Sequence, residues 1–501
     1  MKIFTAAQIK RWDEFTIREQ GLTSLELMQR AATACYEWIV TNISITPTTC
    51  FHIFCGPGNN GGDGLALAGL LYQGGYKIKT YLLPGSLSKD NDTNLRGLQK
   101  ITTEIFSLED ATGLPALYPE DVVIDAMFGI GLNRTLQGIA VELANHINHS
   151  GCRVISIDVP SGMLSDESTS DALTISAHHT LTFQQYKTAL LLPENAAAFG
   201  SVHLLDIGLS KAFASNEEAT YQFLSRQMLK EIYKPRPRFA HKGNFGHAYI
   251  VAGNTGKMGA AVLAAKACLS AGVGLLTVQV PQQERLVLQV STPEAMIATD
   301  EPTDLSKFAA IGLGPGWGTA NENAATIKSL FAKANEMGDT QSSPAFVLDA
   351  DALNVISEHR HLLQLLPKGS ILSPHPKEFD RMFGKSDNDF ERLSLALEQA
   401  AALQCYIILK GHHSFIACHD AKGYFNSTGN AGMAKGGSGD VLTGILTGLL
   451  AQSYSPLQAC MLGVYLHGLA ADIAVLTHSQ EALLATHIIE HIGKAYLQLQ
   501  S

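Results

Sequence analysis

Apolar residues recur at helical spacing over 6–20 and 24–40, with Gly21 between the two stretches. From residue 50 the pattern changes. Short apolar runs at 50–55, 77–83, 122–126 and 153–158 alternate with helical stretches such as 65–73 and 139–149, and strands are predicted at 180–183 and 202–206. Strand and helix in alternation predict a parallel sheet covered on both faces. The regularity fades over 211–219, and Pro235 and Pro237 follow, so a boundary is expected within 209–240. The alternation then restarts, with strands at 247–251, 275–280, 309–312, 346–349, 371–373 and 406–410 and helices at 260–271, 320–334 and 390–402. The end is helical, over 439–452, 457–477 and 485–499. The two series do not repeat one another, so two different α/β domains are expected, 1–209 and 225–501.

A chain of 501 residues with 46% hydrophobic and 16% charged positions is globular and too long for one ordinary core. Its formal charge of -10 disfavours nucleic acid and anionic membrane as partners. The basic stretch 234–242 reads as a linker. No apolar export segment and no membrane-length apolar run stand out, and the eight cysteines form no CxxC pair or metal-ligand spacing. A cytoplasmic protein with reduced thiols is expected.

Chemistry concentrates at strand ends. GPGNNGGDG (56–64) follows a strand and opens a helix, where glycines admit a ligand to the backbone and free amides favour an anion such as pyrophosphate. The spacing is not the GxGxxG dinucleotide fingerprint, and a tight turn is the plain alternative. DAMFGIGLNRT (125–135) and DVPSG (158–162) end two further strands, which in a parallel sheet converge on one crevice. Asn60, Asp125 and Ser161 offer oxygen ligands for a monovalent cation, leaving Asp158 for acid–base work. In the second half, NAGMAKGGSGDVLTG (430–444) runs a glycine turn into an apolar helix, with Asp440 at its start. That layout presents backbone amides to a phosphate with Asp440 facing it, and is similar to that of ribokinase-like enzymes, where the glycines form an anion hole and the aspartate takes a hydroxyl proton. KGHHS (410–414), SPHPKEF (373–379) and GLGPGWG (312–318) are further loops at strand ends, and GNTGKMGA (253–260) lacks the GK[ST] ending of a P-loop.

GPGNNGGDG, the 125–135 loop and DVPSG resemble the epimerase domain of NAD(P)H-hydrate repair enzymes over about 1–209. LMQRAA (27–32) departs from that family's LMExAG. The GGSGD turn, LDADALN (348–354) and SPHPKEF make 225–501 similar to the ADP- or ATP-dependent NAD(P)H-hydrate dehydratases of the ribokinase-like superfamily. The resemblance implies a Rossmann-like three-layer domain followed by a ribokinase-like one, acting in turn as isomerase and lyase on hydrated NADH and NADPH. It implies potassium on Asn60, Asp125 and Ser161. It places the hydrate against Asn59, Asn60, Gly61, Gly62, Asp63, Gly129, Ile130, Gly131, Leu132, Asn133, Arg134, Thr135 and Asp158 in the first domain. In the second it places the hydrate against Ala260, Gly316, His375 and Asp440, and ADP or ATP with Mg2+ against Lys410, Gly411, His412, His413, Ser414 and Gly439. Asp158 and Asp440 are the expected catalytic residues, and a homo-oligomer is expected. The rival readings are a small-molecule kinase, since ribokinase-like sites phosphorylate many hydroxyls, and a first domain that only senses a ligand.

Overall fold

The computed structural model describes residues 1–169, 172–338 and 343–501. The chain forms two compact units, one of Lys2–Ala219 with Asn388–Phe390 and one of Met1, Thr220–Asp387 and Glu391–Ser501.

The first unit is built on parallel strands β1 (Cys50–Cys55), β2 (Lys77–Leu82), β3 (Ile105–Ser107), β4 (Val122–Ala126), β5 (Arg153–Ile157), β6 (His179–Phe183) and β7 (Ser201–Leu205), in the order β3-β2-β1-β4-β5-β6-β7. Order reverses between β1 and β4, which pair in parallel from Phe51↔Val122 to Cys55↔Ala126. The carboxyl ends of two strands that lead away in opposite directions leave a crevice there, the place where open α/β sheets bind ligands. Helices α1 (Ala6–Gln20), α2 (Ser24–Asn42), α3 (Asn59–Gln73), α4 (Lys89–Leu98) and α5 (Ile139–Asn148) accompany the sheet. α1 and α2 start on reciprocal boxes, Thr5 with Gln8 and Thr23 with Glu26. α3 starts within the glycine motif, six residues before the helix expected at 65. In the LMQRAA segment, Gln29 is exposed and Ala32 lies in the core.

The second unit contains β8 (Tyr221–Phe223), β9 (His247–Val251), β10 (Leu275–Gln279), β11 (Met296–Ala298), β12 (Ala310–Leu313), β13 (Ala345–Leu348), β14 (Ile371–Leu372), β15 (Tyr406–Leu409), β16 (Phe415–Ala417) and β17 (Gly423–Phe425), ordered β8-β17-β16-β15-β14-β13-β12-β9-β10-β11. Its switch point lies between β9 and β12. Unlike the wholly parallel sheet expected, β16 runs antiparallel to both β15 and β17, because a short hairpin returns the chain along the same edge.

The buried helices explain the apolar tail. Helix α6 (Met258–Ser270) crosses α10 (Ser438–Ala451), after α7 (Asn321–Glu336), α8 (Ala350–Glu358) and α9 (Pro376–Phe383) have covered the sheet. A Cβ on Gly444 would stand 2.2 Å from Ala264 O, and one on Gly448 2.8 Å from Cys268 O, so α10 approaches α6 backbone to backbone. Helix α11 (Pro456–His478) does have membrane-spanning length and an 18-residue window of hydropathy 1.7, contrary to the sequence reading, yet 78% of that window is buried inside the protein. It is followed by α12 (Ala485–Gln500).

The basic stretch 234–242 is also more than a linker. Lys234 Nζ donates to Ser453 O (2.7 Å) and Arg236 to Gly272 O, just beyond the carboxyl ends of α10 and α6. Cations there answer the unpaired carbonyls and the helix dipoles.

Gly444→Ala is expected to destabilise this unit by about 1–3 kcal/mol, since the backbone must move apart to admit one methyl. Gly493→Ala in α12 meets no atom within 4 Å and should be neutral or stabilising by up to ~1 kcal/mol. Urea unfolding of both variants checks this, and equal midpoints would refute the close crossing.

Candidate active sites

In the first unit the glycine motif is shaped by packing. A Cβ on Gly56 would lie 1.8 Å from Met127 O, one on Gly61 1.8 Å from Gly56 O, and one on Gly64 2.6 Å from Ala126 Cβ. Gly58 caps α3 without a side-chain hydrogen bond, and among the described residues no side chain takes up the first amides of the helix. The loop is held from behind by Asn91 of α4, fully buried, whose Nδ2 donates to Gly56 O (2.9 Å) and Gly58 O (2.8 Å). Asn94 Nδ2 does the same for Gly62 O at 3.1 Å. Sequence reasoning missed both asparagines because it missed α4; the polar run KDNDTN at 89–94 was the available signal.

Asp125, at the end of β4, is completely buried. Its carboxylate accepts from Ser156 Oγ (2.8 Å), Ser161 N (2.8 Å), Ser161 Oγ (2.5 Å) and Met127 N (3.3 Å). Burial pushes its pKa up, the hydrogen bonds pull it back, and among the described residues no lysine or arginine pairs with it. Asn60 is buried with its Nδ2 unpartnered and its carboxamide carbon 3.2 Å from where a Gly129 Cβ would lie.

Asp158 follows β5 with φ 68°, a left-handed backbone that aspartate tolerates better than most residues. Its Oδ1 pairs with Lys187 Nζ at 2.5 Å, and its Oδ2 accepts from Ile130 N at 3.2 Å. A Cβ on Gly129 would stand only 3.1 Å from Asp158 Oδ2, so the 129–135 loop packs closely on Asp158. Within that loop Ile130 and Leu132 pack inward, while Gly131, Asn133, Arg134 and Thr135 are exposed. Lys187 is 1% exposed and also donates to Thr182 Oγ1 (2.8 Å) and Phe183 O (3.1 Å). Two more carboxyls share the neighbourhood. Burial and the charge of Asp158 push Asp13 up to about 7, offset in part by Lys187, and burial with Asp158 and Asp13 raises Asp63 well above the carboxylate range. Neither Lys187 nor Asp13 was foreseen; only a lone lysine just before the apolar run Ala189–Leu192 hinted at the first.

In the second unit, the carboxyl end of β13 places Asp349 at the centre of the site. Its Oδ1 pairs with Lys410 Nζ at 2.6 Å, and its Oδ2 accepts from Thr443 Oγ1 of α10 at 2.8 Å. Burial by itself lowers the Lys410 pKa, but Asp349 and Glu378 (3.7 Å away) carry it above the ordinary lysine value. Lys410 therefore points back into the acidic cluster. Gly411 and His412 are exposed in the turn closed by Ser414, and His413 bonds Asn426 O through Nδ1 (2.9 Å). Burial, then its neighbour His412, lowers the His413 pKa to about 4.

Gly437, with φ 96°, caps α10 without a side-chain hydrogen bond, leaving the amides of this second glycine turn open. A Cβ on Gly439 would face Asp349 Oδ2 at 3.5 Å and Lys410 Nζ at 3.6 Å. Asp440 stands next to it, its pKa raised to about 6 by burial, then by Asp349 and Asp351, against Lys410. His375 caps α9: its Nδ1 accepts from Lys377 N and Glu378 N, and Glu378 returns a bond to His375 N. Burial lowers its pKa, so the half-exposed ring is neutral near pH 7 and its Nε2 lies 3.4 Å from Glu378 Oε1. At the switch point, Gly316 (φ 58°) fits against Lys257 O and Ala260 Cβ, so the predicted residues Ala260 and Gly316 adjoin.

Lys187→Met would leave Asp158 as a buried charge without its partner, at a cost of about 3–5 kcal/mol. Asp158→Asn/Lys187→Met should recover more than half of that, because Asn tolerates the same backbone. Additive losses in chemical denaturation would show the two residues to be independent.

Residues 248–494 match the NAD(P)H-hydrate dehydratase family and residues 24–189 the YjeF-related protein N-terminus. The bifunctional NAD(P)H-hydrate repair enzyme Nnr of Moorella thermoacetica is 32% identical over 98% of this chain and 96% of its own length. That of Escherichia coli is 30% identical over 98% of this chain and 93% of its own. Among solved structures, a ribokinase-like superfamily protein from Enterococcus faecalis is 28% identical with a TM-score of 0.50, over 57% of this chain and 99% of that one. An ADP/ATP-dependent NAD(P)H-hydrate dehydratase from Bacillus subtilis, co-crystallised with ATP and Mg2+, is 29% identical with a TM-score of 0.49, over 56% of this chain and 98% of its own. With relatives of this identity matched from end to end and a glycine turn opening a helix in each matched region, the chain belongs to the family of bifunctional NAD(P)H-hydrate repair enzymes.

Proposed function

We propose that this chain repairs hydrated NADH and NADPH in two steps, interconverting the R and S forms of the C6 hydrate in residues 1–209 and dehydrating the S form with ADP or ATP in residues 225–501. The observation that carries the reading is a repeated device. Each unit opens a helix on a glycine turn with uncapped amides, α3 at its switch point and α10 beside Asp349 at the end of β13, and each sets beside them a carboxylate at a strand or helix terminus. Such amides receive phosphate groups, and the carboxylates supply the proton chemistry. Family membership favours this over a kinase that releases a stable phosphate ester.

In the dehydratase unit, the hydroxyl on C6 is a poor leaving group. Asp440 removes its proton as the oxygen attacks the terminal phosphorus of the nucleotide, while the amides of Gly436 to Gly439 face the developing phosphoryl charge. Phosphate then leaves from C6 and a proton from C5, restoring the ring. Ala260, Gly316 and His375 seat the hydrate, and the 410–414 turn with Gly439 seats the nucleotide. Lys410, fixed between Asp349 and Glu378, lends positive charge beside Gly439. Asp349, Asp351, Glu378 and Asp440 outnumber the cations around them, a balance that suits Mg2+ carried in with the nucleotide phosphates, which would neutralise that charge.

In the epimerase unit, C6 bears both nitrogen and hydroxyl, so loss and return of water through a planar carbon exchanges its faces. Asp158 moves the proton, with Lys187 fixing one carboxylate oxygen and Ile130 N the other. Asn59–Asp63 and Gly129–Thr135 enclose the substrate. Asp125 and Ser161, with Asn60, suit potassium, since a buried carboxylate without a basic partner lacks a counter-charge and all the donors are hard oxygens. The ion would supply that charge. Eight free cysteines agree with a cytoplasmic setting.

Mixed hydrates with ADP, followed by the return of reduced nicotinamide absorbance, test the whole reading; a stable phosphorylated product would refute it. Asp440→Asn should lower dehydration by about 100-fold or more and spare epimerisation. Because a base must be ionised, wild-type dehydration should fall about tenfold per pH unit below about 6, the value to which burial raises Asp440. A profile flat to pH 5 would remove Asp440 from that role. Asp125→Ala should abolish the potassium dependence of epimerisation while dehydration of the pure S hydrate persists. A wild-type rate and melting curve indifferent to potassium would defeat the ion site.

A further inference from the structure

The second glycine turn cannot hold its own shape. A Cβ on Gly436 would meet nothing within 4 Å, and Gly437 adopts a positive φ. An anion hole works only if its donors are already aimed, so something outside the turn must fix it. One face of α11 does so, with residues four apart in line. Val464 O accepts from Asn426 Nδ2 at 3.1 Å, and Tyr465 O from Thr428 Oγ1 at 2.8 Å. At Gly468 a side chain would overlap Thr428, whose Oγ1 lies 2.4 Å from the Cβ position. One turn further on, Asp472 takes both donors that begin the loop: Gly429 N on Oδ2 and Asn430 Nδ2 on Oδ1, each at 2.9 Å.

Asn430 then passes the constraint forward. Its Oδ1 accepts from Gly432 N at 3.1 Å, capping the short turn Ala431–Met433, and Met433 O in turn accepts from Ser438 Oγ at 2.8 Å. A continuous set of bonds thus runs from Asp472 to the first residue of α10, two before Asp440.

We propose that Asp472 is a positioning residue for phosphoryl transfer: it touches no reacting atom, but through Asn430 it sets the glycine turn that aims the amides and Asp440. The proposal rests on the dehydratase reading above. It predicts a particular chemical dependence. Asp472 must accept twice, while Asn430 must donate once and accept once. In Asp472→Asn the new amide meets either Gly429 N–H or the Asn430 amide, two donors facing each other. In Asn430→Asp/Asp472→Asn the roles are exchanged and every bond can re-form. The carboxamide now on α11 accepts from Gly429 N and donates to the carboxylate now in the loop, and that carboxylate accepts from Gly432 N.

The test uses the full chain with ADP and pure S hydrate. Asp472→Asn should lower kcat by about 10- to 100-fold, as expected when catalytic groups are misplaced by about an ångström. KM for both substrates should stay within about threefold, since the loss falls on the transition state. Amide exchange over 429–439 should quicken, and epimerisation should not change. The exchanged double variant should regain at least about tenfold of the lost kcat. Wild-type kcat in Asp472→Asn overturns the proposal, as does a loss matched by a lower melting temperature, or a double variant no better than the single one. Those outcomes leave the dehydratase reading standing when wild type is active, whereas an inactive wild type takes down both.

Discussion

A carboxylate buried at the carboxyl end of a parallel sheet, paired with one lysine, is the constraint on which each unit depends. Asp158 with Lys187 and Asp349 with Lys410 are such pairs, at 2.5 and 2.6 Å. Desolvating either partner alone is costly, so each pair obliges the surrounding loops to supply further donors to the carboxylate and acceptors to the lysine, and to keep water out. Ile130 N, Thr182 Oγ1 and Phe183 O answer that demand in the first unit, and Thr443 Oγ1 and Glu378 in the second. The pairs tie loops from distant parts of the chain into one rigid floor within each unit. The less restrained acids, Asp13 and Asp440, are raised first by burial and then by the negative charge beside them, which suits them to exchange protons near neutrality.

Around these floors the two units reach the same arrangement by different topologies. The first reverses strand order between β1 and β4, the second between β9 and β12, and a glycine-rich helix start reaches each site. In the first, the helix follows the switch strand directly. In the second it comes about 190 residues later, after the hairpin β16–β17, and must be pinned by α11. The later helix is buried at every position from Val441 to Ala451, while α3 emerges into solvent at Tyr72 and Gln73.

Much of this was legible because it was local. The central strands, the two glycine turns and the strand-end aspartates each declare themselves within a dozen residues. What escaped was non-local or short. Lys187 lies 29 positions beyond Asp158, and no spacing rule joins a lysine beside an apolar run to a loop in a neighbouring connection. Asn91 escaped because α4 is polar along much of its length, so its role behind the glycine turn has no apolar rhythm to announce it. The hairpin strands are three residues each, too short for alternation to be read. The 234–242 stretch looked like a linker since its prolines and arginines lack periodicity, yet its cations serve the ends of two helices.

The interlocked glycines carry an evolutionary consequence. Gly56, Gly61 and Gly64 are excluded from change by Met127 O, by Gly56 O and by the side chains of Ala126 and Cys55, all parts of the protein itself. A descendant that lost catalysis would still need them to fold, whereas Asp158 and Lys187 could drift together once no proton had to move. Retention of GPGNNGGDG in a diverged copy is thus a fossil of architecture. The surviving pair of Asp158 and Lys187 is what would separate a living enzyme from its pseudoenzyme.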